Sequence, residues 1–431
     1  MESMKLISSN CQAVPDGERG IVVALDISKD SITYRACRPG AATRPVKVSQ
    51  DMNGFGKLSS ALEQFSNESY DVWVGYEPTG PYSCCVLEYL AENGWHVVQI
   101  NPKHTSRFND IRDNKPGKDD PRDPLGIAGL IWQGCYRIPL HLTGVYAELR
   151  AASAEWGMLS KESTMLKNQL HAMLELWFPE LRSVFKSGLC KSACAIAKKY
   201  ASVEAICSAG LAGVRGVLNK ASSGRAGFRA EALLNAARGS KALRNGQKTR
   251  HRTILNHLAR LELIEAQKAV LKSEMERMLL DLPESQRILS VAGMGVISTT
   301  LLIGECGNLK DYSVKQLEKL VGLNLCEFSS GRHKGKLKIS KCGRSSVRYA
   351  LCMAATQMMR KTGIYHDVAE DMRSNGKRSG EIRVAVARKL LRLLHALACG
   401  AQGFDRQQFV ARRGTGDDQV IHQDGPALAA A

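Results

Sequence analysis

Four carboxylates stand where a chain could use them on phosphate. Asp26 lies near the end of the apolar run "IVVALDIS", and Glu77 ends the run "YDVWVGYE". Asp120 and Asp123 fall in "GKDDPRDPLGIA", with Asp119 beside them, just ahead of another apolar stretch. Strand ends on one edge of a sheet are where α/β folds place ligands. Residues three apart share one side of a helical turn, so Asp120 and Asp123 can face the same way. Gathered at one edge without counter-charge, such acids raise one another's pKa and strain the fold. A hard divalent cation, Mg²⁺ or Mn²⁺, relieves that strain and leaves room for phosphate oxygens. Two such ions can clamp the attacking and leaving oxygens of a phosphoryl transfer. The same residues also suit a structural role, because Asp120–Pro121 and Asp123–Pro124 are both good N-cap and first-turn pairs. On spacing alone both readings stand.

The charge of the rest of the chain points to a polyanion. The formal net charge is +18, and it is unevenly placed. Residues 181–260 hold sixteen basic and two acidic residues, and residues 331–431 hold nineteen and eight. Nucleic acid is the simplest partner for two such segments. The densest stretch is "SSGRHKGKLKISKCGRSSVR", where Arg332, Lys334, Lys336, Lys338, Lys341, Arg344 and Arg348 occur with no acid among them. In a strand, 334, 336 and 338 would line one side, a stripe suited to phosphates. An exposed basic hairpin without chemistry has the same pattern. Aromatic residues are only 6% of the chain, which argues against base stacking as the main binding mode. His251, His257 and His333 read as surface histidines, with phosphate or RNA contact the lesser reading.

These groups need elements to position them. "IVVALDIS" and "SITYRACR" read as a hairpin, 53–66 as a helix, 70–77 as a strand, 81–93 as a helix and 95–100 as a strand. The order implies an α/β domain with a mixed sheet, and it suits a ribonuclease H-like layout better than a Rossmann fold; no G-x-G-x-x-G follows the first strand. Trp73 and Trp95 fall in the strand readings, as core residues. A helix begins near 124. Long apolar-spaced helices are predicted over 144–178 and 250–280, the second close enough to heptads to suggest an antiparallel coiled-coil stalk or a dimer seam. Between them, 181–249 reads as a basic helical insertion that touches nucleic acid. "VAGMGVISTTLLIGECG" has the Gly-x-Gly step of a helix–hairpin–helix, a unit that binds DNA backbone through helix N-terminal amides, though ordinary helix-turn packing fits equally. The expected domains are 18–142, 143–285, 286–404 and a flexible tail over 405–431.

The longest apolar stretch near the C-terminus is broken by Arg388, Lys389 and Arg392, so no membrane span is expected. With no apolar signal core at the N-terminus, the expected location is the cytosol. Thirteen scattered cysteines without a C-x-x-C pair read as reduced core thiols rather than a zinc site.

Taken in order, the blocks "ALDISKDSI", "YEPTGPYSCCVLEYLAENGWHVVQINP", "GKDDPRDPLGIA", "ILSVAGMGVISTTLLIGECGNLKDYSVKQLEKLVGLNLCEFSSG" and "ISKCGRSSVRYALCMAA" resemble the DEDD transposases of bacterial insertion sequences, relatives of the Piv-type invertases. The blocks cover 21–128 and 288–356. Asp119 stands where the family has Thr, and Pro124 where it has Ala. The resemblance implies an α/β plus α architecture: a ribonuclease H/RuvC-like N-terminal domain, a long helical segment and a mostly helical C-terminal transposase domain. It puts a metal-binding catalytic tetrad on Asp26, Glu77, Asp120 and Asp123. It also implies a serine nucleophile at the S-G step, Ser330, with Ser329 adjacent. The implied function is cutting and rejoining of target and donor DNA through a serine–DNA phosphoester, with a structured guide RNA. The implied setting is the bacterial cytoplasm at the nucleoid. Serine and tetrad lie far apart in the chain, so they could come from different subunits of a homodimer or homotetramer. The alternative is a metal-dependent nuclease or junction resolvase using water, with Ser330 a bystander.

Overall fold

The computed structural model describes residues 13–16, 19–68, 70–78, 80–113, 123–327 and 337–409. They fall into two compact units, 1–142 and 143–431. The first is built on strands β1 (Gly20–Ile27), β2 (Ser31–Arg38), β3 (Ala41–Ala42), β4 (Val46–Ser49), β5 (Asp71–Tyr76) and β6 (His96–Gln99). Its helices are α1 (Met52–Asn67), α2 (Cys84–Glu92), α3 (Pro102–Asp113) and α4 (Asp123–Trp132). The sheet order is β3-β2-β1-β5-β6, with β4 also pairing β2. β1 and β2 form the expected antiparallel hairpin, while β5 and β6 run parallel to β1 and to each other.

β1 is apolar almost throughout because helices cover both sides of the sheet. Ile21, Val23, Leu25, Val72 and Val74 pack with Leu58 and Leu62 of α1 and Val86 and Leu90 of α2. Val22, Ala24, Trp73 and Val98 pack on the other face with Ile127, Ala128 and Ile131 of α4. Gly75 is what lets α4 come so close. A Cβ there would lie 2.3 Å from Ile131 Cδ1 and 2.9 Å from Ile127 Cγ2. Gly75→Val is therefore expected to destabilise this unit by about 1–3 kcal/mol through overpacking. Urea unfolding checks this, and adding Ile131→Ala should recover part of the loss.

In the second unit, α5 (Gly144–Trp177) is followed by α6 (Leu181–Val184), α7 (Lys191–Lys199), α8 (Val203–Ser222), α9 (Ala230–Arg238) and α10 (Gln247–Leu280). Ala152 clusters with Leu271 and Met275, whereas Leu170 and Leu174 cluster with Ile254 and Leu258. α5 and α10 therefore lie antiparallel. Those residues mark the face they share. Trp177 of α5, Phe178, Phe185, Ile196, Val214 and Leu233 join the intervening helices to that same core.

α11 (Pro283–Leu289), α12 (Val296–Cys306), α13 (Val314–Leu320), β7 (Leu325–Cys326), β8 (Lys338–Ile339), α14 (Ser345–Met358), α15 (His366–Ser374) and α16 (Ser379–Cys399) complete the chain's elements. Residues 143–285 and 286–404 differ in composition, yet they share one unit. Leu149 of α5 enters the core formed by Leu302, Leu351 and Leu390, and Gly304 lets the backbone of Leu149 approach α12. Of the expected tail, residues 405–409 are described and 410–431 lie outside the described residues. Phe409 meets Tyr365 edge-on at 5.7 Å, and Asp405 caps the backbone N–H of Gln407 at 2.7 Å. No single helix among the described residues is long and apolar enough to cross a membrane. The described cysteines are free thiols, and burial pushes those of Cys37 and Cys194 up to about 11.

Candidate active site

Asp26 is the seventh residue of β1 and half-buried. Its position in the alternation follows Val22 and Ala24, which places it on the face that α4 covers. Glu77, also half-buried, directly follows β5. The last pair of the β1–β5 ladder is Leu25 with Tyr76, so Asp26 and Glu77 are the next residues on two adjacent parallel strands. Neighbouring strands lie roughly 4.8 Å apart. Asp26 is opposite Thr33 of β2, and the turn beyond is closed by Ser28, whose hydroxyl donates to the Ser31 carbonyl at 2.8 Å.

Asp123 is the first residue of α4, one helical turn before Ile127, which packs on this same face of the sheet. The helix thus starts at Asp123 with Pro124 in its first turn, a place where a missing backbone N–H costs nothing. Asp119 and Asp120, and the side chain of Asp123, lie outside the described residues. Among the described residues no group of three or more His, Cys, Asp or Glu side chains is arranged to hold a metal ion. Two half-buried carboxylates at the carboxyl ends of adjacent parallel strands are nonetheless oxygen donors of the type a hard divalent cation takes.

Ser329, Ser330, Arg332, His333, Lys334 and Lys336 also lie outside the described residues, on the segment joining β7 to β8. The base of that segment is closely built. Cys326 pairs with Lys338, Ser340 N–H donates to the Asn324 carbonyl at 2.9 Å, and Arg344 N–H to Leu320 at 2.9 Å. Gly343 has φ +147° and touches the Leu320 carbonyl so closely that a Cβ would sit 2.2 Å from it. Any other residue there would force the chain before α14 away from the end of α13. Lys338 and Lys341 are exposed, as a phosphate contact requires. Arg344 and Arg348 also make contacts within the chain. Arg348 Nη1 donates to the Val321 carbonyl at 2.9 Å, and Arg344 Nε lies 3.6 Å from Glu305 Oε2. Both half-buried guanidiniums tie the hairpin base to α12 and α13.

The Gly-x-Gly step does join two helices, α11 and α12. Gly293 turns the chain at φ +103°, and Gly295 is the N-cap of α12. Two of the histidines are not free surface groups. His251 Nε2 is 2.8 Å from the Ala197 carbonyl and its ring stacks on Trp177 at 6.5 Å, while His257 Nδ1 is 2.9 Å from the Thr253 carbonyl.

Known proteins share these two segments. Residues 23–179, which carry Asp26, Glu77, Asp120 and Asp123, match a family model for transposases of the DEDD IS110 type. Residues 285–370, which carry the Ser329–Ser330–Gly331 step, match the model of the transposase IS116/IS110/IS902 family. A Sinorhizobium fredii protein, y4uE, whose name carries the word transposase, is 35% identical over 117 residues, 26% of this chain. The chain spans about a third of that relative's length, 32%. The two models together take in the sheet edge with its acids and the hairpin with its serines, and the chain belongs to the DEDD transposases of the IS110 family.

Proposed function

We propose that the chain cuts and rejoins DNA strands as a transposase, with a ribonuclease H/RuvC-like N-terminal unit acting with Ser330 of the C-terminal one. The observation that carries the reading is that Asp26 and Glu77 each directly follow the last registered pair of β1 and β5, Leu25 with Tyr76, at the carboxyl ends of adjacent parallel strands. Asp26, Glu77, Asp120 and Asp123 would hold Mg²⁺ or Mn²⁺. When bound, such an ion polarises the scissile phosphate and neutralises charge developing on it. The chain's own groups do the rest. The Ser330 hydroxyl loses its proton and bonds to phosphorus, the bridging P–O bond breaks, and the departing strand oxygen takes up a proton. A strand hydroxyl later attacks the serine phosphoester and releases the serine, so the bond energy is conserved and no nucleotide cofactor is consumed. Lys338 and Lys341 flank the serine segment and would hold phosphates of the same strand. A structured RNA that pairs with both DNAs, and a second copy supplying the serine in trans, belong to this proposal as the family resemblance implies them.

The test is to incubate the chain with Mg²⁺, DNA carrying its element ends, and RNA transcribed from the element. The expected product is an SDS-resistant protein–DNA adduct that Ser330→Ala abolishes and Ser329→Ala retains. Free cleaved ends with no adduct would instead establish hydrolysis by water.

A further inference from the structure

Residues 180–284 lie between the two matched segments, and they include the stretch 181–260 with its sixteen basic and two acidic residues. Within them one aromatic side chain stands out. Phe228 is 75% exposed, in the stretch "SSGRAGFR" that joins α8 to α9. An exposed Phe on a loose loop would mean little. This loop is pinned. Ser222 Oγ donates to the Leu218 carbonyl at 2.7 Å and accepts from Ala226 N–H at 2.8 Å, and Gly224 N–H donates to Asn219 at 2.9 Å. Ser223 takes a left-handed φ of +51° to make the turn.

The ring itself is backed by a cation. The Arg229 guanidinium lies 5.3 Å from the Phe228 centroid and 5.6 Å from that of Phe185, which is buried. Arg229 is fixed in turn by donating to the Val184 carbonyl at 3.2 Å. The anchored guanidinium thus lies against both a buried ring and an exposed one. Arg225 on the same connection, Lys220 in the last turn of α8, and Lys186 next to Phe185 are exposed. A rigid aromatic platform rimmed by cations is how proteins hold unpaired nucleotides: bases stack on the ring, and the phosphates meet the positive rim.

We propose that Phe228, backed by Arg229, is a stacking site for an unpaired base of single-stranded nucleic acid, held by the basic surface of Lys186, Lys220 and Arg225. The proposal rests on the reading that the chain handles nucleic acid, but not on its strand-transfer chemistry. In a duplex the bases are already stacked on each other, so the ring has nothing to receive there. The full chain is titrated into fluorescent oligouridine, oligothymidine and duplex DNA of equal length, and anisotropy is read for wild type, Phe228→Ala and Phe228→Tyr. Phe228→Ala is expected to weaken at least one single strand by about five- to a hundredfold, with duplex binding within about twofold and Phe228→Tyr close to wild type. Loss on oligouridine alone names RNA, loss on oligothymidine alone names DNA, and loss on both names a general single-strand site. Unchanged single-strand affinity, or an equal loss on the duplex, overturns the proposal. Wild-type chain that forms no serine adduct yet shows this pattern would remove the proposed chemistry and leave the stacking site standing.

Discussion

Asp26→Asn is expected to lower DNA strand cleavage by at least about a thousandfold while the protein stays folded. The amide has almost the shape of the carboxylate, and the backbone of residue 26 keeps its pairing with Thr33. What is lost is one negative ligand from the edge where Glu77 follows the Leu25–Tyr76 pair. Metal-assisted charge stabilisation is worth several kcal/mol, and each 1.36 kcal/mol is tenfold in rate. The same substitution also reports on metal binding through thermal stability. With Mg²⁺ the wild type should gain stability by mass action and the variant should gain less. Glu77→Gln should behave alike in both assays. Full cleavage by Asp26→Asn, or an equal Mg²⁺ shift in both proteins, would remove Asp26 from the metal site.

The elements that carry Asp26 and Glu77 are legible in the sequence because strands covered on both faces are written as near-continuous apolar runs. "IVVALDIS" and "YDVWVGYE" lie within one residue of β1 and β5 at each end. The two long helices are legible because apolar residues recur at helical spacing along them, and the buried ones, such as Leu166, Leu170 and Leu174 or Ile254, Leu258 and Ile264, follow it. Other parts carry no such signal. β4 is four residues long with only Val48 buried, and α3 is polar along most of its length. Neither was expected. The reach of α4 onto the sheet depends on the missing side chain of Gly75, which gives no pattern of its own. Arg344 and Arg348 look identical in sequence to Lys338 and Lys341, and only the nearby Glu305 and the Val321 carbonyl separate structural cations from exposed ones. Phe228 escaped notice because a low overall aromatic content says nothing about where one ring is displayed.

A partnership that sequence could not show holds the serine hairpin's base. Glu318, on α13, is 6% exposed and accepts from two cations of α16: Arg388 Nη2 at 2.8 Å and Arg392 Nε at 3.0 Å. Its own backbone carbonyl takes the N–H groups of Leu323 at 2.8 Å and Asn324 at 3.1 Å, the residues that lead into β7. Removing a buried acid leaves its cations unpaired in a poor dielectric, which costs about 3–5 kcal/mol. The Arg392 side chain is 43% exposed and can recover water, so Glu318→Ala should fall at the low end, about 3 kcal/mol. For a unit of this size that is roughly a 6–12 °C drop in Tm. The chain has two compact units, so the drop should appear in the transition of the second and leave the first in place. Glu318→Gln keeps an acceptor oxygen for one guanidinium but turns an amide N–H₂ toward the other, and should lose less than alanine. Because α13 delivers the chain to β7, adduct formation by Glu318→Ala should fall even at temperatures where the unit remains folded. A Tm within about 2 °C of wild type would show that the two arginines are satisfied without Glu318.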